Sequence, residues 1–312
     1  MSSEFLLTDA TAKEPKRCTP SISVVIPTKD RPSLLLRAVI SALAYDEGEI
    51  EVVVVDDHSA IPARKALSKI SDVRLKIIEM QSGRTGVSAA RNYGLDHASG
   101  QILMFLDDDD EFVEGYLQLV ASLDLDQFDF GCAAYSKTRG MRSISVNRRF
   151  ANGPIPVSAP IRKQFFGFGM GFWMTRRCME ILGPIDERLV INEDTDYFCR
   201  LRREGMVGWY SSFLGVSVHT YNSPNNLGSI SHRVCATERA RCMRIVSDRY
   251  PELRSHLGAR YIDHVVKSRV WSEAWKYAAE QHDFLIRLRL RSRILIKSFG
   301  YLLKRKLKPG ST

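Results

Sequence analysis

The feature that most constrains this chain is an alternation of two periods over its first hundred residues. "SISVVIP" (21–27), "EIEVVVVD" (49–56), "VRLKIIE" (73–79) and "QILMFLD" (101–107) are apolar, largely β-branched runs. Between them, "SLLLRAVISALA" (33–44), "PARKALSKI" (62–70) and "GVSAARNYGLDHA" (86–98) have helical spacing, each opened by Ser, Pro or Gly. Apolar strands separated by helices predict βαβ units and a mainly parallel sheet covered on both faces. Ligands of such sheets sit beyond the carboxyl ends of the strands. Three of those ends carry polar signals: "PTKDR" (27–31), "DDHS" (56–59) and "DDDDE" (107–111). Their convergence predicts one pocket lined by Thr28, Asp57 and the aspartates 107 to 110.

Four successive carboxylates at the mouth of a buried strand pose a physical problem, because they repel one another and an unpaired buried charge costs several kcal/mol. Taken alone, the run reads better as a solvated acidic turn capping a helix from Phe112. Its place beside two other polar strand ends favours a cation among the carboxylates. Acids at i and i+2 can straddle a divalent ion where the backbone turns, and hard oxygen ligands suit magnesium or manganese. Such an ion commonly bridges a diphosphate and acts as a Lewis acid for a phosphate leaving group.

The second half is less regular. "FDFGCAAYS" (128–136) and "GFWMT" (171–175) predict strands; "RRCMEILG" (176–183) and "EDTDYFCRLRREG" (193–205) predict helices. "RRFANGPIPVSAP" (148–160), rich in Pro, Gly and Asn, predicts a loop. From about Ser231 the chain reads as helical to its end, with a break at Tyr250–Pro251. In "FFGFGMGFW" (165–173) core packing outweighs sugar stacking for Trp173 and its aromatic neighbours, and the glycines at 167, 169 and 171 permit close backbone approach.

The ordered set "ISVVIPTKDRPSLLLRAVISAL", "EVVVVDDHS", "GVSAARNYGL", "ILMFLDDDD" and "GPIDERLVINEDTDYFCRLRREG" resembles the family 2 glycosyltransferases, inverting enzymes of the GT-A nucleotide-sugar fold. The resemblance covers roughly residues 20 to 222. It implies an α/β, Rossmann-like, mainly parallel sheet with a helical C-terminal extension: a tail over 1–20, a GT-A domain over 21–222 and a helical region over 223–312. It implies that Pro27 and Thr28 open the nucleotide pocket, that Asp57 hydrogen-bonds the base or ribose, and that Arg91 helps to fix the nucleotide. Asp107, Asp108 and Asp109 match the family's Asp-x-Asp element, with Asp109 and Asp107 as metal ligands for Mn2+ or Mg2+. Glu193 and Asp194 match its Glu-Asp pair, with Asp194 as the base, and His219 matches a histidine near metal or diphosphate. Arg84 stands where many relatives have Asn, and implies a different contact to the base or a reach to the diphosphate. Asp196, two places beyond Asp194, is expected to face elsewhere and to be structural.

Rival readings are opposed at particular residues, and the non-catalytic one stays open as the alternative. A haloacid-dehalogenase-like phosphatase wants Thr or Val where Glu111 stands. A sugar nucleotidyltransferase wants a Gly-rich loop where this chain has "PTKDR". A sugar-nucleotide-binding or membrane scaffold protein that has lost activity is opposed by retention of Asp107, Asp109 and Asp194.

The net charge of +9 is carried by one segment: between Phe284 and Lys308 stand nine cations and no acid, so the rest of the chain is balanced. That argues against nucleic acid as a partner. Mixed with Leu, Ile and Phe, with an apolar face through Phe284, Leu288, Leu295, Phe299 and Leu302, the segment reads as an interfacial helix on an anionic membrane, with a domain-packing helix or an oligomer contact as the alternatives. A lipid-linked saccharide acceptor would follow. Six cysteines without metal spacing, an acid-containing first segment and no long uncharged apolar run lead to the expectation of a cytoplasmic protein, peripheral on the inner face of the membrane.

Overall fold

The computed structural model describes residues 21–139, 142–220 and 234–306, with side chains to Phe299 in the last helix. The expected N-terminal tail, the boundary near 222 and the last cation, Lys308, lie outside these residues, as does the side chain of Leu302.

One twisted sheet organises the molecule. Its central strands β1 (Ile22–Thr28), β2 (Ile50–Asp56), β3 (Leu75–Glu79) and β4 (Ile102–Phe105) are parallel. Beyond them lie β5 (Glu111–Phe112), β6 (Phe130–Arg139), β7 (Arg142–Asn147), β8 (Gly153–Pro154), β9 (Trp173–Thr175) and β10 (Gly208–His219). The order is β3-β2-β1-β4-β9-β6-β10-β5, with β7 beside β6 and β8 beside β10. Strand β9 runs antiparallel between β4 and β6, while β10 lies parallel to β6 across two register shifts. Strand β4 stops at Phe105, short of the expected 107, so the aspartates begin where strand pairing ends.

All seven residues of β1 and of β2 are buried, as a sheet covered on both faces requires. Alternation splits them between two cores. Ile22, Val24 and Ile26 face α1 (Pro32–Leu43), which buries Leu35, Ala38, Val39 and Ala42. Val25, Val53 and Val55 face α3 (Val87–His97). There the backbones approach so closely that a Cβ on Gly94 would stand 2.3 Å from Val25 Cγ1. The expected helix over 62–70 is a single turn, α2 (Ala63–Ala66). Only Ala63 and Leu67 are buried there, too short an apolar face to hold a longer helix.

Helices α4 (Tyr116–Ala121), α5 (Ile161–Gln164) and α6 (Arg176–Leu182) are short, and α7 (Glu193–Arg203) is pivotal. Tyr197, Phe198 and Leu201 of α7 join the second core, beside Phe166, Phe168 and Phe172, while Cys199 joins a third. That third core belongs to α8 (Ala236–Arg249), α9 (Arg254–Lys267), α10 (Trp271–Ala279) and α11 (Phe284–Lys306). Trp173 is buried in the first core.

Candidate active site

The loops after β1, β2 and β4 open on one cavity of about 920 Å³. Its wall includes Pro27, Thr28, Asp57, Arg91, the aspartates 107 to 110, Glu193 and Asp194.

Thr28, the last residue of β1, donates its hydroxyl to Asp108 Oδ2 at 2.7 Å, and Arg31 Nη1 donates to Asp108 Oδ1 at 2.9 Å. The same nitrogen lies 3.1 Å from Asp109 Oδ2. Burial pushes the Asp108 carboxyl up to about 6, against the pull of Arg31 and Thr28. Asp108 therefore ties the first strand's loop to the fourth's. Asp56 and Asp57 divide a similar task. Asp56 accepts the amides of Ser59 and Ala63, shaping its own loop. Asp57 Oδ2 accepts from the Gly86 amide at 2.9 Å, the Thr85 hydroxyl at 3.0 Å and Lys29 Nζ at 3.3 Å. Asp57 Oδ1 is buried and has no partner among the described residues. Such an atom is costly unless a ligand donates to it.

Carboxylate oxygens of Asp107, Asp109 and Asp110 lie within 4.8 Å of one another. Burial, then Asp107, push Asp109 up from the ordinary carboxylate range; burial, then Asp107 and Asp109, push Asp110 well up. An all-oxygen, mutually repelling donor set fits a hard divalent cation, which would remove the repulsion. His219 is not of this group. Its ring lies between Thr138 Oγ1, at 3.0 Å from Nδ1, and Glu111 Oε1, at 2.7 Å from Nε2, while its backbone amide donates to Asp110 Oδ1 at 3.0 Å. It stands behind a carboxylate of the cluster, because β10 carries it alongside β5.

Arg91, buried in the cavity wall, lies 5.1 Å from the Phe168 ring centre. It reaches Asp107 Oδ1 and Glu193 Oε1, each at 2.9 Å. One buried guanidinium thus joins the aspartate run to the Glu-Asp pair. Burial pushes Glu193 up to about 7, with Asp194 adding and Arg91 opposing. Gly169 leans on the same cluster: a Cβ there would meet Asp107 Oδ2 at 2.6 Å.

Asn192, in the left-handed region at φ 66°, turns the chain into α7 and presents Glu193 and Asp194 to the cavity. Asn tolerates that conformation better than most residues. Asp194 Oδ1 accepts from the Thr195 amide at 2.6 Å and hydroxyl at 3.2 Å. Burial pushes its carboxyl up, opposed by Thr195, Arg260 and Arg91. Asp196, fully buried, turns away to Arg200, Arg249 and Tyr250.

Arg84 does not line the cavity; it pairs with Glu187 and lies 5.8 Å from the Tyr93 ring centre. Among the residues of the wall, Arg31, Arg239 and Arg260 were given no role by the sequence reading, and Asp110 was read as wall but not as a metal ligand. Arg31 and Asp110 lie inside motifs that were read, but motif spacing does not assign ion pairs. Arg239 and Arg260 come from α8 and α9, and no local signal connects them to residue 194.

Residues 23–176 match the model of glycosyl transferase family 2. Over 100 residues the chain is 37% identical to a GalNAc(5)-diNAcBac-PP-undecaprenol beta-1,3-glucosyltransferase of Campylobacter jejuni, covering 31% of this chain and 32% of that one. Over 102 residues it is 29% identical to the UDP-Glc:alpha-D-GlcNAc-diphosphoundecaprenol beta-1,3-glucosyltransferase WfgD of Escherichia coli, covering 33% of this chain and 40% of that one. These matches span about a third of the relatives' own length. Among solved structures, Staphylococcus aureus TarS residues 1–349, with UDP-GlcNAc, superposes with a TM-score of 0.62 at 16% identity, covering 88% of this chain and 79% of that one. The fold is thus the GT-A glycosyltransferase fold.

Proposed function

On the premise that this chain carries a family 2 glycosyltransferase domain, we propose that it transfers a sugar from a nucleotide-diphosphate sugar, a UDP-sugar, to a hydroxyl of a saccharide or lipid-linked saccharide, with inversion. The observation that carries this reading is that Asp194 and the cluster of Asp107, Asp109 and Asp110 line one cavity. In this reading residues 21–222 are the transferase domain and 223–312 its helical extension.

The acceptor hydroxyl attacks the anomeric carbon from the face opposite the diphosphate, while the bond to the diphosphate oxygen breaks and its electron pair leaves with the nucleotide. Asp194 takes the hydroxyl proton, a task its raised affinity for protons suits. Asp57 Oδ1 and the Thr28 loop receive the nucleoside. Arg91 holds Asp107 and Glu193 in place, and Asp108 fixes the loop around them. A divalent cation held by Asp107, Asp109 and Asp110 would neutralise charge on the diphosphate.

Calorimetry with UDP, with and without manganese, on the natural chain and on Asp109→Ala, tests this. Manganese-dependent binding that the substitution weakens at least roughly tenfold supports it. No nucleotide binding under any metal condition overturns it and leaves a non-catalytic protein.

The acceptor's lipid is argued from α11. Among the described residues no helix is long and apolar enough to cross a membrane. Helix α11 instead buries Leu290 and Ile294 on one face and exposes Phe284, Leu285, Leu288, Leu295, Ile296 and Phe299 on the other. The exposed set recurs at helical spacing and the helix carries no acid. We therefore place the protein on the inner face of an anionic membrane. Co-sedimentation with phosphatidylglycerol vesicles, lost in Leu288→Glu/Ile296→Glu and absent with phosphatidylcholine, is expected. Failure to bind the anionic vesicles overturns the membrane placement alone.

A further inference from the structure

The cations of the cavity fall into two groups. Arg31 is matched by Asp108 and Asp109, Arg91 by Asp107 and Glu193, and Lys29 by Asp57. Lys137 is exposed on β6. The remaining two, Arg239 and Arg260, come from α8 and α9, outside the family match. Arg260 rests on neutral oxygens only: Nη1 donates to Thr195 Oγ1 at 3.2 Å and Nη2 to Asn192 Oδ1 at 3.3 Å. Arg239 donates its Nε to the Val234 carbonyl at 3.1 Å. Among the described residues neither forms an ion pair with a carboxylate at contact distance. Their shared neighbourhood shows in His264, which burial, Lys267, Arg260 and Arg239 together push down to about 4.

Burial works against the Arg260 guanidinium, while the carboxylates of Asp194 and Asp263 act in its favour. With Asp263 already paired to Arg293 and Lys297, Asp194 is left against two arginines, and Arg239 supplies the surplus positive charge at this end of the cavity. Guanidinium groups with spare donors fit a phosphoryl oxygen set. The donor's diphosphate has its own place by the aspartate cluster. The end with Asp194 is where the acceptor must lie, because the base must reach the acceptor hydroxyl.

We propose that Arg239 and Arg260 form an anion subsite that binds a phosphate or diphosphate group carried by the acceptor, close to the hydroxyl that Asp194 deprotonates. The proposal rests on the transferase reading above and adds the acceptor's chemical class to it. It also assigns the helical extension a part of the binding site, as well as of the core.

Glucose 1-phosphate, with glucose as the uncharged control, is titrated into the full chain saturated with UDP and magnesium. Arg239→Gln, Arg260→Gln and Arg260→Lys are compared, with thermal melting to verify folding. The expected result is binding of glucose 1-phosphate but not glucose, weakened roughly tenfold in each Gln variant and less in Arg260→Lys, as loss of a charge-assisted hydrogen bond predicts. UDP affinity is expected to stay within about twofold. If Arg260→Gln does not fold, Arg239→Gln, on a half-buried position, decides alone. Three results overturn the proposal: no binding of glucose 1-phosphate by a chain that binds UDP, equal binding by the variants, or UDP affinity that falls with them. The last would assign the arginines to the donor diphosphate. A natural chain that does not bind UDP at all overturns the transferase reading instead.

Discussion

Asp194 and Glu193 are adjacent in sequence yet take different tasks, because one side chain meets Arg91 and the other does not. Asp194→Asn is isosteric and leaves the Thr195 contacts largely in place. It is expected to lower transfer by roughly 10²- to 10⁴-fold while UDP affinity stays unchanged, as steady-state kinetics with calorimetry will measure. Burial raises the Asp194 pKa, so its carboxyl ionises at a higher pH than an ordinary aspartate. The acid limb of kcat/KM is therefore expected to lie above pH 4, with activity lost as pH falls through the raised pKa; a limb at or below that value would count against Asp194 as the base. The sequence displayed these residues because each motif is local: the strand-end aspartates and "NEDTD" need only a few neighbours to be read. Arg84 was misplaced in the same way that Arg239 and Arg260 were missed. Where a long basic side chain turns is decided by distant carboxylates, Glu187 in the case of Arg84, and no spacing rule encodes them.

At the scale of elements, the parallel strands were legible from apolar runs, whereas the single turn of α2 and the early end of β4 were not. Both depend on how much apolar surface finds a partner, which periodicity overstates. The sheet also hides a polar knot at the end away from the cavity. Glu51 of β2 accepts from Ser23 of β1, from the Ser99 amide and hydroxyl before β4, and from Lys76 of β3. Burial alone would raise its carboxyl, but Lys76, Ser23 and Ser99 hold it down at about 2. Its contribution to stability is complete above the unfolded value near 4.5 and is lost as pH falls through about 2. Glu51→Ala is expected to cost about 2 kcal/mol in urea unfolding near pH 7, and the difference from the natural chain should shrink below pH 4. Gly94→Ala probes the other face. Its methyl group must displace Val25, so a loss of about 1–3 kcal/mol is expected in the same measurement.

Over the whole molecule, one helix holds sheet and extension together. Arg249 of α8 bridges Asp186 and the fully buried Asp196 of α7, beside Arg200 and Tyr250. Removing one partner of such a group leaves uncompensated buried charge. Arg249→Ala is expected to cost about 3–5 kcal/mol, with the C-terminal helices losing hydrogen-exchange protection before the parallel strands do. Over the described residues from Ala236 to Lys306 the C-terminal stretch is helical, as read, but nothing in its periodicity announced that α7 would be shared between two cores. That sharing has a consequence for inheritance and engineering. The strand ends on the aspartate side of the cavity fall within one stretch of sequence, from Pro27 to Asp110, and pack into the first two cores. The extension meets them through a seam that few side chains of α7 and the preceding loop define. A chimaera that exchanges everything after β10 for a relative's helices, while keeping the partners of Asp186, Asp196 and Cys199, would retain its donor and inherit a new acceptor.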